Sequence, residues 1–184
     1  MEELSQFIDR RIEDAKSIPV IDDIRDEVFI TPGQVNRATN TIEQWFGQFD
    51  GEVLAELNFI DKTTFGFLDT IPKKCGIRII TQSIKDKEKC KRNATQCAKD
   101  RPHFEIIKVS RMHQRWIGSL ETFIVDIGTD LKTDALGKRN HAIRRLDPTT
   151  FKETIKMFNQ FWDLKQKKLQ ELYGSSIEKS IFFP

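Results

Sequence analysis

The apolar positions along the chain change their period several times, and each change marks an element. Residues 3–18 set Leu4, Phe7, Ile8, Ile12 and Ala15 three or four apart, the spacing of an amphipathic helix. Thr31-Pro32 supplies a helix cap with proline at the first helical position. Val35, Ala38, Ile42, Trp45 and Phe49 then make one apolar face, which Asp50-Gly51 ends. From Glu52 the rhythm is that of strands: EVLAELNFID (52–61), IRIITQS (77–83) and HFEIIKV (103–109). The helix candidates between them are KTTFGFLDTIPKKC (62–75) and the polar KDKEKCKRNATQCAKD (85–100). Strand and helix in alternation predict βαβα units on a mostly parallel sheet. The pattern then switches. MHQRWI (112–117) and TFIVDI (122–127) are separated only by GSLE, a hairpin-length segment containing Gly. HAIRRL (141–146) reads as a last strand, and Asp147-Pro148-Thr149 opens a long closing helix with Phe151, Ile155, Phe158, Trp162 and Leu169 on one face.

At 184 residues with no internal repeat, the chain is long enough for one substantial core with appendages. The pattern divides it into an acidic helical N-terminal extension, residues 1–51, and a main domain, residues 52–184, that includes the long closing helix. No stretch approaches the roughly 18 apolar residues of a membrane span, so no transmembrane segment is expected. The first residues are acidic and amphipathic, unlike a signal peptide. With three cysteines, an odd number, this predicts a cytoplasmic protein with free thiols.

Charge changes the picture. Residues 1–61 carry 14 acidic and 5 basic side chains, a balance of −9, whereas residues 62–184 carry 14 acidic and 25 basic, a balance of +11. Such asymmetry fits a polyanionic partner for the basic part, or an acidic segment that packs against the basic one and cancels it. Lys73–Arg101 alone holds ten basic and three acidic residues, a surface a phosphate backbone would accept and a solvated helix would also show.

The candidate chemistry lies between residues 111 and 143. His113 and Arg115 are two apart in a strand segment and share a face. Asp126 leads into Gly128-Thr129, a turn offering backbone N–H groups and a hydroxyl, and Lys132, Lys138 and Arg139 follow. An imidazole, a guanidinium, a hydroxyl and a glycine turn make a phosphate cradle, the imidazole adding a nucleophile or proton donor near neutral pH. Cys90, Cys97 and His103 have six and five residues between them, which matches no compact zinc spacing, and no nucleotide-cofactor or serine-hydrolase motif is present. His141 reads as a packed strand residue. Neither a cofactor nor a metal is expected.

This arrangement resembles the phospholipase D superfamily, whose hallmark is a His-x-Lys pair on a strand, then an Asp, then Gly-Ser-x-Asn. The likeness covers roughly residues 52–163. It is strongest to single-half variants with a His-x-Arg pair and a Leu-Gly-Lys turn, found in single-domain prokaryotic proteins and in the C-terminal domain of MIT-domain proteins. The chain departs from the catalytic pattern at Arg115, Leu120 and Leu131, where the family has Lys, Asp and Asn. The implied fold is α/β: one phospholipase-D-like half, a mixed sheet flanked by helices, with the N-terminal extension. The resemblance implies a phosphodiester-binding domain that acts on or binds nucleic acid. It further implies a homodimer with the two His113 imidazoles facing across the axis, His113 and Arg115 being the catalytic pair. The alternative it leaves open is a non-catalytic module that binds anionic phospholipid or a protein partner.

Overall fold

The computed structural model describes residues 24–109 and 114–173. In chain order these are β1 (Ile24–Ile30), α1 (Val35–Phe46), β2 (Glu52–Ile60), α2 (Lys62–Thr70), β3 (Gly76–Ile84), α3 (Lys87–Asp100), β4 (Phe104–Lys108), β5 (Arg115–Ser119), β6 (Ile124–Asp126), α4 (Thr133–Leu136), β7 (His141–Leu146), a 3-10 turn (Pro148–Phe151) and α5 (Lys152–Tyr173). The strands form one mixed sheet in the order β1-β7-β6-β5-β2-β3-β4. Only β2, β3 and β4 run parallel; the remaining neighbours are antiparallel. The expectation of a mostly parallel sheet therefore holds only for the βαβα part. The switch comes at β5, which follows β4 with no helix among the described residues between them and pairs antiparallel to β2; the tight hairpin to β6 then continues the antiparallel part.

Both faces of the sheet are covered, which explains the near-continuous apolar runs of β2 and β3. One face carries Val53, Ala55, Leu57, Ile77, Ile79, Ile117 and Val125 and packs against α1, α2 and α3. The other carries Leu54, Ile80, Trp116, Ile124 and Leu146 and is closed by Ile155, Phe158, Phe161 and Trp162 of α5. Each large side chain taken fully from water there contributes roughly 1.5–3 kcal/mol. Arg78 on β3 helps seat α5. It forks onto Glu52 at 2.9 and 2.6 Å and lies over the rings of both Phe158 and Trp162. His103 joins the same carboxylate at 3.0 Å.

Three expectations about the first 51 residues meet the structure differently. The helix over 3–18 lies outside the described residues. Residues 24–30 are strand, not part of a helical lead-in. This β1 pairs along β7, with Ile30 opposite His141, and α1 contributes Ala38, Ile42, Trp45 and Phe46 to the core. The α1 helix begins after Gln34 rather than at Thr31-Pro32. Those two residues belong to a turn with Gly33 at φ +87°, whose amide donates to Gly137 O at 3.0 Å. Thr31 is engaged there instead: its carbonyl accepts from Gln34 N at 3.1 Å, and its amide donates to Gln34 Oε1. The same helix ends at Phe46 with Gly47 beyond it, short of Asp50-Gly51.

The charge asymmetry is partly cancelled within the molecule. Asp26 meets Arg145, Glu27 meets Arg144, Asp50 meets Lys74 and Glu52 meets Arg78. The acidic early residues thus neutralise specific cations of the later ones. Arg101 is handled another way. At 6% exposure it donates to the carbonyls of Leu68, Ile71, Pro72 and Cys75, just where α2 ends and its last carbonyls lack intrahelical partners.

All three cysteines are buried and free. Burial pushes their thiols up, Cys90 to about 11. The protein is therefore expected to react with a thiol-alkylating reagent far more slowly when folded than in urea at the same pH. The unfolded chain ionises first. This contribution to stability is thus complete below about pH 8.5–9 and is lost as pH rises from there toward 11, read as a falling urea midpoint.

Candidate functional site

Strand directions decide where the candidate residues go. The last residues of β1, β2, β3, β4 and β6 and the first residues of β5 and β7 lie at one end of the sheet. Ile30 is opposite His141, Leu57 opposite Arg115, and Trp116 opposite Asp126. That end receives Arg115, the loop from Ile127 to Lys132, and the approach to β7 through Lys138 and Arg139. His113, in the connection from β4 to β5, lies outside the described residues, and its role as catalytic residue stays an expectation.

The loop after β6 is built tightly. Gly128 has φ +67°, and a Cβ there would fall 2.5 Å from Ala142 O. Only glycine meets both conditions. Its amide donates to Asp126 Oδ1 at 3.1 Å, so this N–H is turned back onto the loop rather than outward. Burial raises the Asp126 carboxyl above the usual carboxylate range, against the Gly128 N–H and the Arg144 and Arg115 guanidiniums, which lower it. Ionised, Asp126 opposes an incoming anion; protonated, it does not. Leu131 is 1% exposed and pins the loop, and its carbonyl accepts from Thr64 Oγ1 at 3.1 Å. Thr64 belongs to the capping box that Asp61 makes at the start of α2, so the loop is tied to a helix N-terminus.

The cations at this end are held differently from one another. Arg115 Nε donates to Asp130 Oδ1 at 2.9 Å, and the two side chains are 33% and 22% exposed. Its carbonyl accepts from Ile127 N, which locks the start of β5 to the loop. Lys132 sets its ammonium 4.5 Å from the centre of the Phe59 ring. Lys85, just after β3, stands 4.8 Å from the same ring. Lys138 and Arg139 are exposed, and Thr129 is half-buried. His141 donates from Nδ1 to Arg139 O at 3.0 Å, which shapes the approach to β7.

Sequence reasoning missed four residues here. Asp130 was hidden because its partner lies on another strand. Phe59 and Lys85 were hidden because two loops, far apart in the chain, bring the cations to the ring. Glu56 did leave a signal. It is an acid inside the apolar run VLAELNFI, fully buried on an interior strand and opposite Trp116. A carboxylate at that depth requires hydrogen-bonding or ionic partners, and it has an interaction. Among the described residues no three His, Cys, Asp or Glu side chains form a metal-holding group, and no helix is long and apolar enough to cross a membrane.

Neither a family model nor a curated protein matches the sequence. Among solved structures, the chain is similar to NucT from Helicobacter pylori, with a TM-score of 0.54 and 9% identity over 75% of this chain and 96% of that one. A second similar structure is TrmBL2, described as an archaeal chromatin protein that shows a novel mode of DNA binding. Its TM-score is 0.48 at 12% identity, over 88% of this chain and 58% of that one. At these identities the likeness is one of fold, carried by the first of the two: the chain has a phospholipase-D-like α/β fold, a seven-stranded mixed sheet flanked by helices.

Proposed function

We propose that this chain is a phosphodiester-binding domain that takes nucleic acid along the sheet end carrying Arg115, Lys132, Lys138 and Arg139. One observation carries the reading. Arg115 opens β5 and the other three lie in the connection from β6 to β7, and strand direction delivers both segments to the same end, beside the Gly128 turn. Arg115 is itself held by Asp130, while Arg144, Arg145 and Arg78, elsewhere on the sheet, pair with Glu27, Asp26 and Glu52. Thr129 would add its hydroxyl, and Gly128 shapes the turn, its own N–H being held by Asp126. In this reading two copies pair symmetrically, and a second His113 supplies the proton donor that a single half lacks.

Two departures from the catalytic pattern favour binding over turnover. Leu131 is buried, so nothing at that position reaches a phosphate as an Asn side chain would. Leu120 lies in the β5–β6 turn, at the far end of β5 from Arg115. The test is retardation of labelled DNA and RNA across a salt series, with EDTA-insensitive cleavage by wild type and His113→Ala scored in parallel. Affinity should fall steeply as salt rises and should weaken in Arg115→Ala and Lys138→Ala. Absence of retardation at low salt sinks the proposal, and flotation with anionic vesicles would then favour a lipid partner. Cleavage that disappears in His113→Ala would make Arg115 a working replacement for the family's Lys. Light scattering checks the dimer.

A further inference from the structure

We propose that Phe59, with Lys85 and Lys132, is a stacking subsite for an unpaired base, so that the preferred nucleic acid is single-stranded. The inference rests on the phosphodiester-binding reading and narrows its substrate class. Phe59 is half-buried at the end of β2, two residues beyond Leu57, the register partner of Arg115. Two residues along a strand cover about 6.6 Å, so Phe59 stands on the strand next to Arg115, a short way beyond it toward the same end of the sheet. Lys85 and Lys132 hold their ammonium groups 4.8 and 4.5 Å from the ring centre. Among the described residues neither ammonium lies within ion-pair distance of a carboxylate. Two like charges gathered on one aromatic ring repel each other, and a phosphate relieves that repulsion.

A cation over a ring that is only half-buried is held weakly. A base entering the site takes over a face of Phe59, and the displaced ammonium moves to the phosphate of that nucleotide. Aromatic stacking plus a basic groove is how sequence-tolerant single-strand binders work. A duplex keeps its bases stacked inside and offers the ring nothing.

The experiment compares three fluorescein-labelled probes by anisotropy: a short oligothymidylate, the same backbone with abasic sites, and a duplex. Wild type should bind oligothymidylate about tenfold more tightly than the abasic strand. Phe59→Leu should erase that preference while leaving abasic affinity nearly unchanged, and Phe59→Trp should keep it. Lys85→Gln combined with Lys132→Gln should reduce the slope of log affinity against log salt by about 1.4. A thermal melt verifies that each variant is folded, and Phe59→Trp decides the matter if Phe59→Leu is not. The subsite is overturned if wild type binds abasic and thymidylate strands alike, or if folded Phe59→Leu retains the preference. In either case the wider phosphodiester reading survives. If wild type binds no probe at low salt, both readings fall together.

Discussion

Replacing Arg101 by alanine should lower the free energy of unfolding by about 3–5 kcal/mol, the range seen when a buried charged partner is removed and the groups it served are stranded. The cause is the number and placement of its acceptors. Both terminal nitrogens are used, one on Pro72 O and Cys75 O, the other on Leu68 O and Ile71 O, at 2.8 to 3.4 Å. The guanidinium carries no carboxylate partner in this set; its charge is answered by carbonyl dipoles at the negative end of α2. Without it, four carbonyls near the junction of α2 and β3 lose a donor at once; Leu68 O and Pro72 O keep one each, from the amides of Ile71 and Cys75. Arg101→Lys should recover little, because one ammonium cannot span a fork of four acceptors. Urea denaturation followed by circular dichroism measures both. A midpoint within error of wild type for Arg101→Ala would show that water satisfies those carbonyls.

The second large effect is expected at Gly128. Alanine there must hold φ near +67° and place its Cβ 2.5 Å from the Ala142 carbonyl oxygen. A non-glycine residue held in such a conformation costs about 1–3 kcal/mol, and the overlap puts this site at or above the upper end. Gly128→Asn separates the two causes. Asparagine tolerates positive φ but has the same Cβ, so it should remain destabilised if the overlap dominates and recover if backbone conformation does. The shift also moves the Asp126 carboxylate, the Arg115–Asp130 pair and Lys132 together. Nucleic-acid affinity should therefore fall in the alanine variant even where the protein is folded. Unchanged affinity with lowered stability would separate the loop from the binding surface.

The parts of the fold legible in the sequence were those set by local pattern. β2, β3 and β4 with their intervening helices, the β5–β6 hairpin, β7 and the closing helix all appear in the order the apolar period predicts. However, α2 stops at Thr70 rather than Cys75, and β5 starts at Arg115 and takes Gly118 and Ser119 out of the expected GSLE loop. β1 escaped because Arg25, Asp26 and Glu27 precede three consecutive apolar residues, which shows no alternation. Phe29 is 56% exposed while Val28 and Ile30 turn inward, a distinction only β7 pairing can make. The Gly128 turn was legible because glycine after a strand has a backbone meaning. What surrounds it was not. Asp130 on Arg115, the ring of Phe59 between two lysines, and Arg101 on carbonyls 26 to 33 residues away are all contacts that strand order creates. The acidic first part cancelling the basic later part and the presence of an anionic partner were posed as rivals. The ion pairs of Asp26, Glu27, Asp50 and Glu52 show the first; the second is what the salt series tests.

The pairing of β1 with β7 has a consequence for how the molecule comes into being. Glu27 reaches Arg144 across 117 residues of chain. As the ribosome delivers the polypeptide, the parallel strands β2, β3 and β4 can assemble early, each contact bridging little sequence. β1 has no partner until β7 emerges, and until then Val28, Phe29 and Ile30 form an unmatched, adhesive edge. Closure of the sheet is thus a late step set by long-range loop formation. The interval before it is when the chain is most open to association with its neighbours.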